Sequence, residues 1–225
     1  MIKGLPTSID LLFTVTTIAI FILFIRSLRK SRYNKNGVYT FTVGISIMFW
    51  MIFQSILGYK GFYQEAGNMI PRHLVAYAPP ILCIIFLMAT RQKGIRKSVH
   101  LKSLTGLHFL RIPVEISIWS LAVYKQVPYI ITFEGANLDI LVGLSVPFVS
   151  YFVFYRKTLS NRWLITWNIC GILFLFHALY LYIGQYDTFV YGISHFPYIW
   201  LPSFIIPVFL FSHLASISKL LNKKL

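Results

Sequence analysis

The chain has 225 residues, 57% of them hydrophobic and only 12% charged, about half the charged fraction of an ordinary soluble domain. Its 21 lysines and arginines outnumber six acids, for a net charge of +15, but they sit in short segments between long apolar runs. That is the pattern of membrane-flanking loops, and it excludes a nucleic-acid-binding domain, which needs a solvated basic face.

The first apolar run, Ile9 to Ile25, is followed at once by Arg26, Arg29, Lys30, Arg32 and Lys35. A secretory signal peptide carries its cations before the run and a small-residue cleavage site after it. The run therefore reads as a retained first span, 9–25, with the N-terminus outside. A second span covers 38–59. Beyond the loop from Lys60 to Arg72, a third span, 71–90, is bent by Pro79 and Pro80. Arg91, Lys93, Arg96, Lys97 and Lys102 precede the fourth span, 103–125, which contains Pro113. Its exit loop, Phe133-Glu134-Gly135-Ala136-Asn137-Leu138-Asp139, opens into the fifth span, 138–155, with Pro147 inside and Arg156, Lys157 and Arg162 after it. The sixth, 163–183, carries Asn168 and His177. The seventh, 198–214, carries Pro202 and Pro207 and is followed by Lys219, Lys223 and Lys224.

Charge placement tests this topology. With the N-terminus outside, the basic segments after the first, third, fifth and seventh spans all fall inside. Only Lys3, Lys60, Arg72 and Lys125 fall outside. The positive-inside rule counts cations, and the reversed orientation would break it. Tyr124, Tyr129, Tyr180, Tyr182, Tyr186, Tyr191, Tyr198 and Trp200 gather at the outer boundary, and Tyr33, Tyr39, Tyr155 and Trp163 at the inner one, as interfacial belts do. Cys83 and Cys170 both lie in apolar runs and say nothing about redox compartment.

The fourth span carries the strongest chemical signal, His108-Phe-Leu-Arg111-Ile-Pro-Val-Glu115. Three- and four-residue spacings place all three polar side chains on one helix face. At about 1.5 Å per residue from Ser103, Arg111 lies near 12 Å deep and Glu115 near 18 Å. Charged groups at that depth are costly, so they must face other helices or a wet cavity. A salt bridge between Arg111 and Glu115 within the helix is the bland account of the pair. The other account is a polar pocket in which Arg111 positions an anionic group, Glu115 is its counter-charge or a proton acceptor, and His108 relays protons inward.

Glu134, Asn137 and Asp139 would form an outer vestibule for a cation, with Asp139, Gly143 and Ser150 extending a polar track along the fifth helix. Asn137 or Asp139 could instead cap that helix. Asn168 reads as an interhelical hydrogen-bonding residue. Haem or metal ligation by His108, His177 and His213 is an alternative, but no two of them have the spacing of a shared site on one helix. The prolines in four spans free backbone carbonyls and permit kinks.

Two seven-span families fail on their motifs. The last span has no lysine for a retinal Schiff base, and it lacks the His-x-x-x-His of the zinc hydrolases of ceramidase type. Three stretches do carry a likeness: His108-x-x-Arg111-x-Pro113-Val-Glu115, Phe133-Glu134-Gly-x-Asn137-x-Asp139-Ile-Leu, and Pro197-Tyr-Ile-Trp200-Leu-Pro202. From Leu104 onward the chain resembles a group of uncharacterised bacterial seven-span membrane proteins. The resemblance implies an inner-membrane protein and no particular chemistry, and it leaves out the first three spans.

These readings predict an all-α polytopic membrane protein, a single domain over 1–225 built as a bundle of seven transmembrane helices with a cytoplasmic C-terminus. The expected function is binding or translocation of a small solute, ion or proton in a polar cavity, without a cofactor. His108, Arg111, Glu115, Glu134, Asn137, Asp139, Asn168 and His177 are the expected pathway residues. The rival readings are a lipid-modifying enzyme, with Glu115 or Glu134 as general base and a histidine as acid, and an assembly subunit. The expected partners are the bilayer, the solute, and either a second copy or another membrane protein.

Overall fold

The computed structural model describes residues 2, 4–29, 37–64, 72–90, 99–184 and 192–221. Lys3, Lys30, Arg32, Lys35, Arg91, Lys93, Arg96, Lys97, Lys223 and Lys224 of the charge-placement reading, and Tyr33, Tyr186 and Tyr191 of the aromatic belts, lie outside the described residues. Among those described, the chain is helical without strands. Its long helices are α1 (Thr7–Arg29), α2 (Val38–Tyr59), α3 (Leu74–Ala89), α4 (Leu101–Val123), α5 (Asp139–Tyr155), α6 (Asn161–Gly184) and α7 (Leu201–Leu221). Five of them, α1, α2, α4, α6 and α7, are long and apolar enough to cross a membrane, while α3 and α5 are shorter apolar helices.

Local chemistry explains several of these boundaries. α1 has no proline or glycine inside it and places Asp10 in its first turn, where a negative charge favours the positive end of the helix dipole. α4 begins with His100 as its cap, the Ser103 N–H donating to His100 Nδ1 at 3.3 Å. Within α4 a 3-10 turn at His108–Leu110 precedes Pro113. Pro113 has no N–H to give the Phe109 carbonyl four residues back, so the α ladder is interrupted there.

Helix α7 is the hub. It packs against α2, α3, α4 and α6, and an aromatic ladder joins it and Tyr198, just ahead of it, to α1: Phe13 with Tyr198, Phe21 with Phe204, and Phe24 with Phe211. The residue numbers rise together, so α1 and α7 run in the same direction. The Tyr198 hydroxyl donates to Asp10 Oδ1 at 2.8 Å, which satisfies a buried acid at the start of α1. α7 opens with a π-helical turn, Leu201–Ile205. Pro207 cannot donate to the Ser203 carbonyl, and the Trp50 indole from α2 takes that carbonyl at 3.0 Å. Outward-facing apolar residues such as Phe49, Phe148 and Leu82 are more than 60% exposed. A surface of that kind suits a lipid solvent rather than water.

Candidate functional site

Arg111, at the point where the 3-10 turn of α4 returns to α helix, is fully buried, and three helices supply its partners. Its Nη1 is ion-paired with Asp139 Oδ1 at the first residue of α5. Nη2 lies 3.0 Å from His213 Nε2 on α7, and Nε donates to His108 Nδ1 at 3.3 Å. The guanidinium also lies 4.7 Å from the centre of the Phe209 ring, within cation–π range.

The partners assign the histidine tautomers. Asn168 Nδ2 donates to the Leu164 carbonyl at 2.7 Å, so its Oδ1 accepts from His213 Nδ1–H at 2.9 Å. His213 Nε2 is then an acceptor, as the arginine requires. His108 is likewise an acceptor at Nδ1 and carries its proton on Nε2, which is buried without a partner among the described residues, as is Thr105 Oγ1 one turn earlier. The two imidazoles stack, centroids 3.9 Å apart and planes within 17°. With Arg111 bonded between them, the nitrogens that face it are not free to ligate iron or a metal. Among the described residues no group of three or more His, Cys, Asp or Glu could hold a metal ion.

Glycines set the helix spacing here. A Cβ on Gly171 of α6 would overlap the His213 ring, and one on Gly143 of α5 would lie 3.0 Å from Ile112 and 3.3 Å from the Arg111 Cβ. Gly143 therefore serves as a contact surface for α4, where the sequence suggested part of a polar track.

Glu115 differs from the sequence expectation. The ion pair of Arg111 is made with Asp139 across helices, and Glu115 instead accepts from Asn137 Nδ2 at 3.1 and 3.0 Å. The break in α4 and the inward placement of the α5 start bring Asp139 to the guanidinium, which the ideal spacing along α4 could not show. Asn137 has two roles, since its Oδ1 also accepts the Asp139 backbone N–H at 3.0 Å. Asn137 and Asp139 are thus buried members of the central cluster and not an outer vestibule.

Glu134 stands apart from that cluster on the surface. It accepts from the Tyr129 hydroxyl and from the Trp119 indole at 2.9 Å. The phenol, and then the indole, hold its carboxyl below the usual carboxylate range, and the same bond raises the Tyr129 phenol above its ordinary value.

A cavity of about 50 Å³ adjoins the cluster. Glu115, Asn137 and Asp139 form one end of it. The walls come from Ile118, from Leu175 and Leu179 on α6, and from Leu201, Ile205 and Phe209 on α7. It is mostly apolar with one acidic end, where the sequence suggested a polar cavity. His177 does not line it and is not hydrogen-bonded to the cluster through Nδ1, which is buried without a partner among the described residues. Asn168 joins the cluster through His213. The histidine that sequence reasoning left out of the pathway is His213 itself. Its signal lay in α6, where Leu164, Asn168, Gly171 and Leu175 recur at helical spacing and mark the face that meets α7.

No curated protein and no solved structure matches the chain. A family model, the domain of unknown function DUF8737, matches residues 70–221. The match starts ahead of α3 and takes in every residue of the Arg111 cluster, so it reaches further toward the N-terminus than the motif resemblance. By that match, the chain belongs to the DUF8737 family.

Proposed function

We propose that the chain is a seven-span membrane protein that binds or translocates a small solute, ion or proton at Glu115. The observation that carries this reading is a charge imbalance beside a void. The cluster holds two carboxylates and one guanidinium, Asp139 takes the guanidinium, and Glu115 is left at the cavity with only a neutral amide donor among the described residues. An uncompensated charge in hydrocarbon is costly. A proton or a positively charged species in the cavity would neutralise it. Arg111 then acts as a fixed counter-charge for Asp139, and the neutral His108 and His213 hold it in place as acceptors.

The topology completes the proposal. α3 and α5, at about 1.5 Å per residue, are roughly 24–26 Å long and cross with modest local thinning of the bilayer. Cations following α1, α3, α5 and α7 favour cytoplasmic ends there and an outside N-terminus, and the motif resemblance supports the plasma membrane of a bacterium as the location.

The test is reconstitution. Purified protein in liposomes, loaded with a pH-sensitive dye or a tracer solute, should leak protons or solute above empty vesicles, and Glu115→Gln should abolish the excess. Vesicles that stay as tight as the empty control would refute translocation. Loss of a co-purifying protein on Arg111→Ala, with no flux in the parent, would favour an assembly role.

A further inference from the structure

The reading of Glu115 above leaves the ligand unnamed, and the present inference rests on it. We propose that the cavity beside Glu115 takes a small organic ammonium ion, a short alkylammonium, in preference to a hydrated metal cation. Three observations on the cavity point the same way.

The first is charge. One more positive charge balances Asp139 and Glu115 against Arg111, so a monovalent cation matches the site and a divalent one overshoots it. The second is the supply of oxygen donors. Hard metal cations take about six or more oxygen ligands. Here Asp139 Oδ1 is engaged by Arg111 and Asn137 Oδ1 by a backbone N–H, while Asn137 turns its amide N–H toward Glu115. That leaves Asp139 Oδ2 and the carboxylate of Glu115, three carboxylate oxygens and so well short of six; the Glu115 carboxylate has about four acceptor positions and receives only one amide nitrogen among the described residues. An ammonium needs few such acceptors, and its carbon chain needs none.

The third is the wall. Tyr182 adds a phenol to the lining, and the rest of the wall is apolar, chiefly Ile118, Leu175, Leu179, Leu201, Ile205 and Phe209. They offer nothing to a hydration shell and good contact to methylene groups. A cavity of about 50 Å³, at roughly 10–15 Å³ per water-sized occupant, holds about four non-hydrogen atoms, the size of propylammonium. Its head would meet Glu115 and its tail would lie against Leu175 and Ile205.

The protein in lipid nanodiscs is titrated calorimetrically with propylammonium at neutral pH, with 1-propanol, sodium chloride and potassium chloride as comparators. Saturable propylammonium binding is expected, with the neutral alcohol at least about tenfold weaker. Glu115→Gln should remove the binding by deleting the charge, and Leu175→Phe should remove it by filling the space while leaving every charge in place. Absence of saturable binding to the wild-type protein overturns the proposal, and so does binding that survives both substitutions. Glu115-dependent flux of protons or alkali cations without amine binding sinks the ammonium assignment and leaves the broader reading intact. No flux and no binding of any of these probes sinks both.

Discussion

Replacing Asp139 by Asn removes the charged partner of a fully buried guanidinium while keeping the side-chain volume. Stripping a buried charge of its counter-ion costs about 3–5 kcal/mol, because the remaining charge cannot reach water. The amide oxygen still accepts from Nη1 and returns about 1 kcal/mol, so a net loss of about 2–4 kcal/mol is expected. Glu115→Gln should behave differently. It removes the acid that has no cationic hydrogen-bond partner and keeps an acceptor for Asn137, so the loss should stay below about 1 kcal/mol.

Arg111→Met closes the cycle. In that background Asp139→Asn should cost far less than in the parent, since the charge it orphans is gone. Reversible unfolding in bicelles or mixed micelles measures the four proteins of the cycle together with Glu115→Gln. If Glu115→Gln is the damaging change and Asp139→Asn the mild one, the pairing described here is wrong and Arg111 bonds along its own helix. Strict additivity of Arg111→Met and Asp139→Asn would also refute a direct pair.

Three further outcomes follow from other parts of the structure. Gly171→Ala should destabilise by about 1–3 kcal/mol because the new methyl meets an imidazole pinned at both nitrogens; Gly143→Ala should cost less, since Ile112 can turn aside, and thermal melts in one detergent rank the two. Trp50→Phe should cost about 1 kcal/mol by orphaning the Ser203 carbonyl, and much of that loss should vanish with Pro207→Ala, which supplies the missing backbone donor. The Glu134 clasp has a pH window set by its two shifts. Its contribution is present above the ordinary carboxylate value and lost as pH falls through the lowered Glu134 value; at the alkaline end it persists below the ordinary phenol value and fades as pH rises through the raised Tyr129 value. Trp119 fluorescence followed across pH should show both limits, and Glu134→Gln should erase the acid one.

Helices and their approximate ends were legible in the sequence because hydropathy is a local sum. A run of some twenty apolar residues must satisfy its own backbone, and in oil only a helix does so. The same reasoning marked His108, Arg111 and Glu115 as one polar face, and all three are buried in the fold. Asn137 was readable as a cap; Leu138 holds the N-cap position instead, and Asn137, one residue earlier, accepts the Asp139 N–H.

Which groups meet was not legible. Asp139 lies 28 residues from Arg111 and His213 lies 102 residues away. Their encounter depends on the rotation and depth of α5 and α7 relative to α4. Those quantities come from side-chain packing, from the bare surfaces of Gly143 and Gly171, and from the 3-10 break ahead of Pro113. Composition and periodicity established by themselves an all-helical chain suited to a membrane and a shared helix face for His108, Arg111 and Glu115. Only the tertiary structure decided that Asp139 neutralises Arg111 and that Glu115 is left facing the cavity. Burial is a property of a helix face, whereas partnership depends on the distance between two faces.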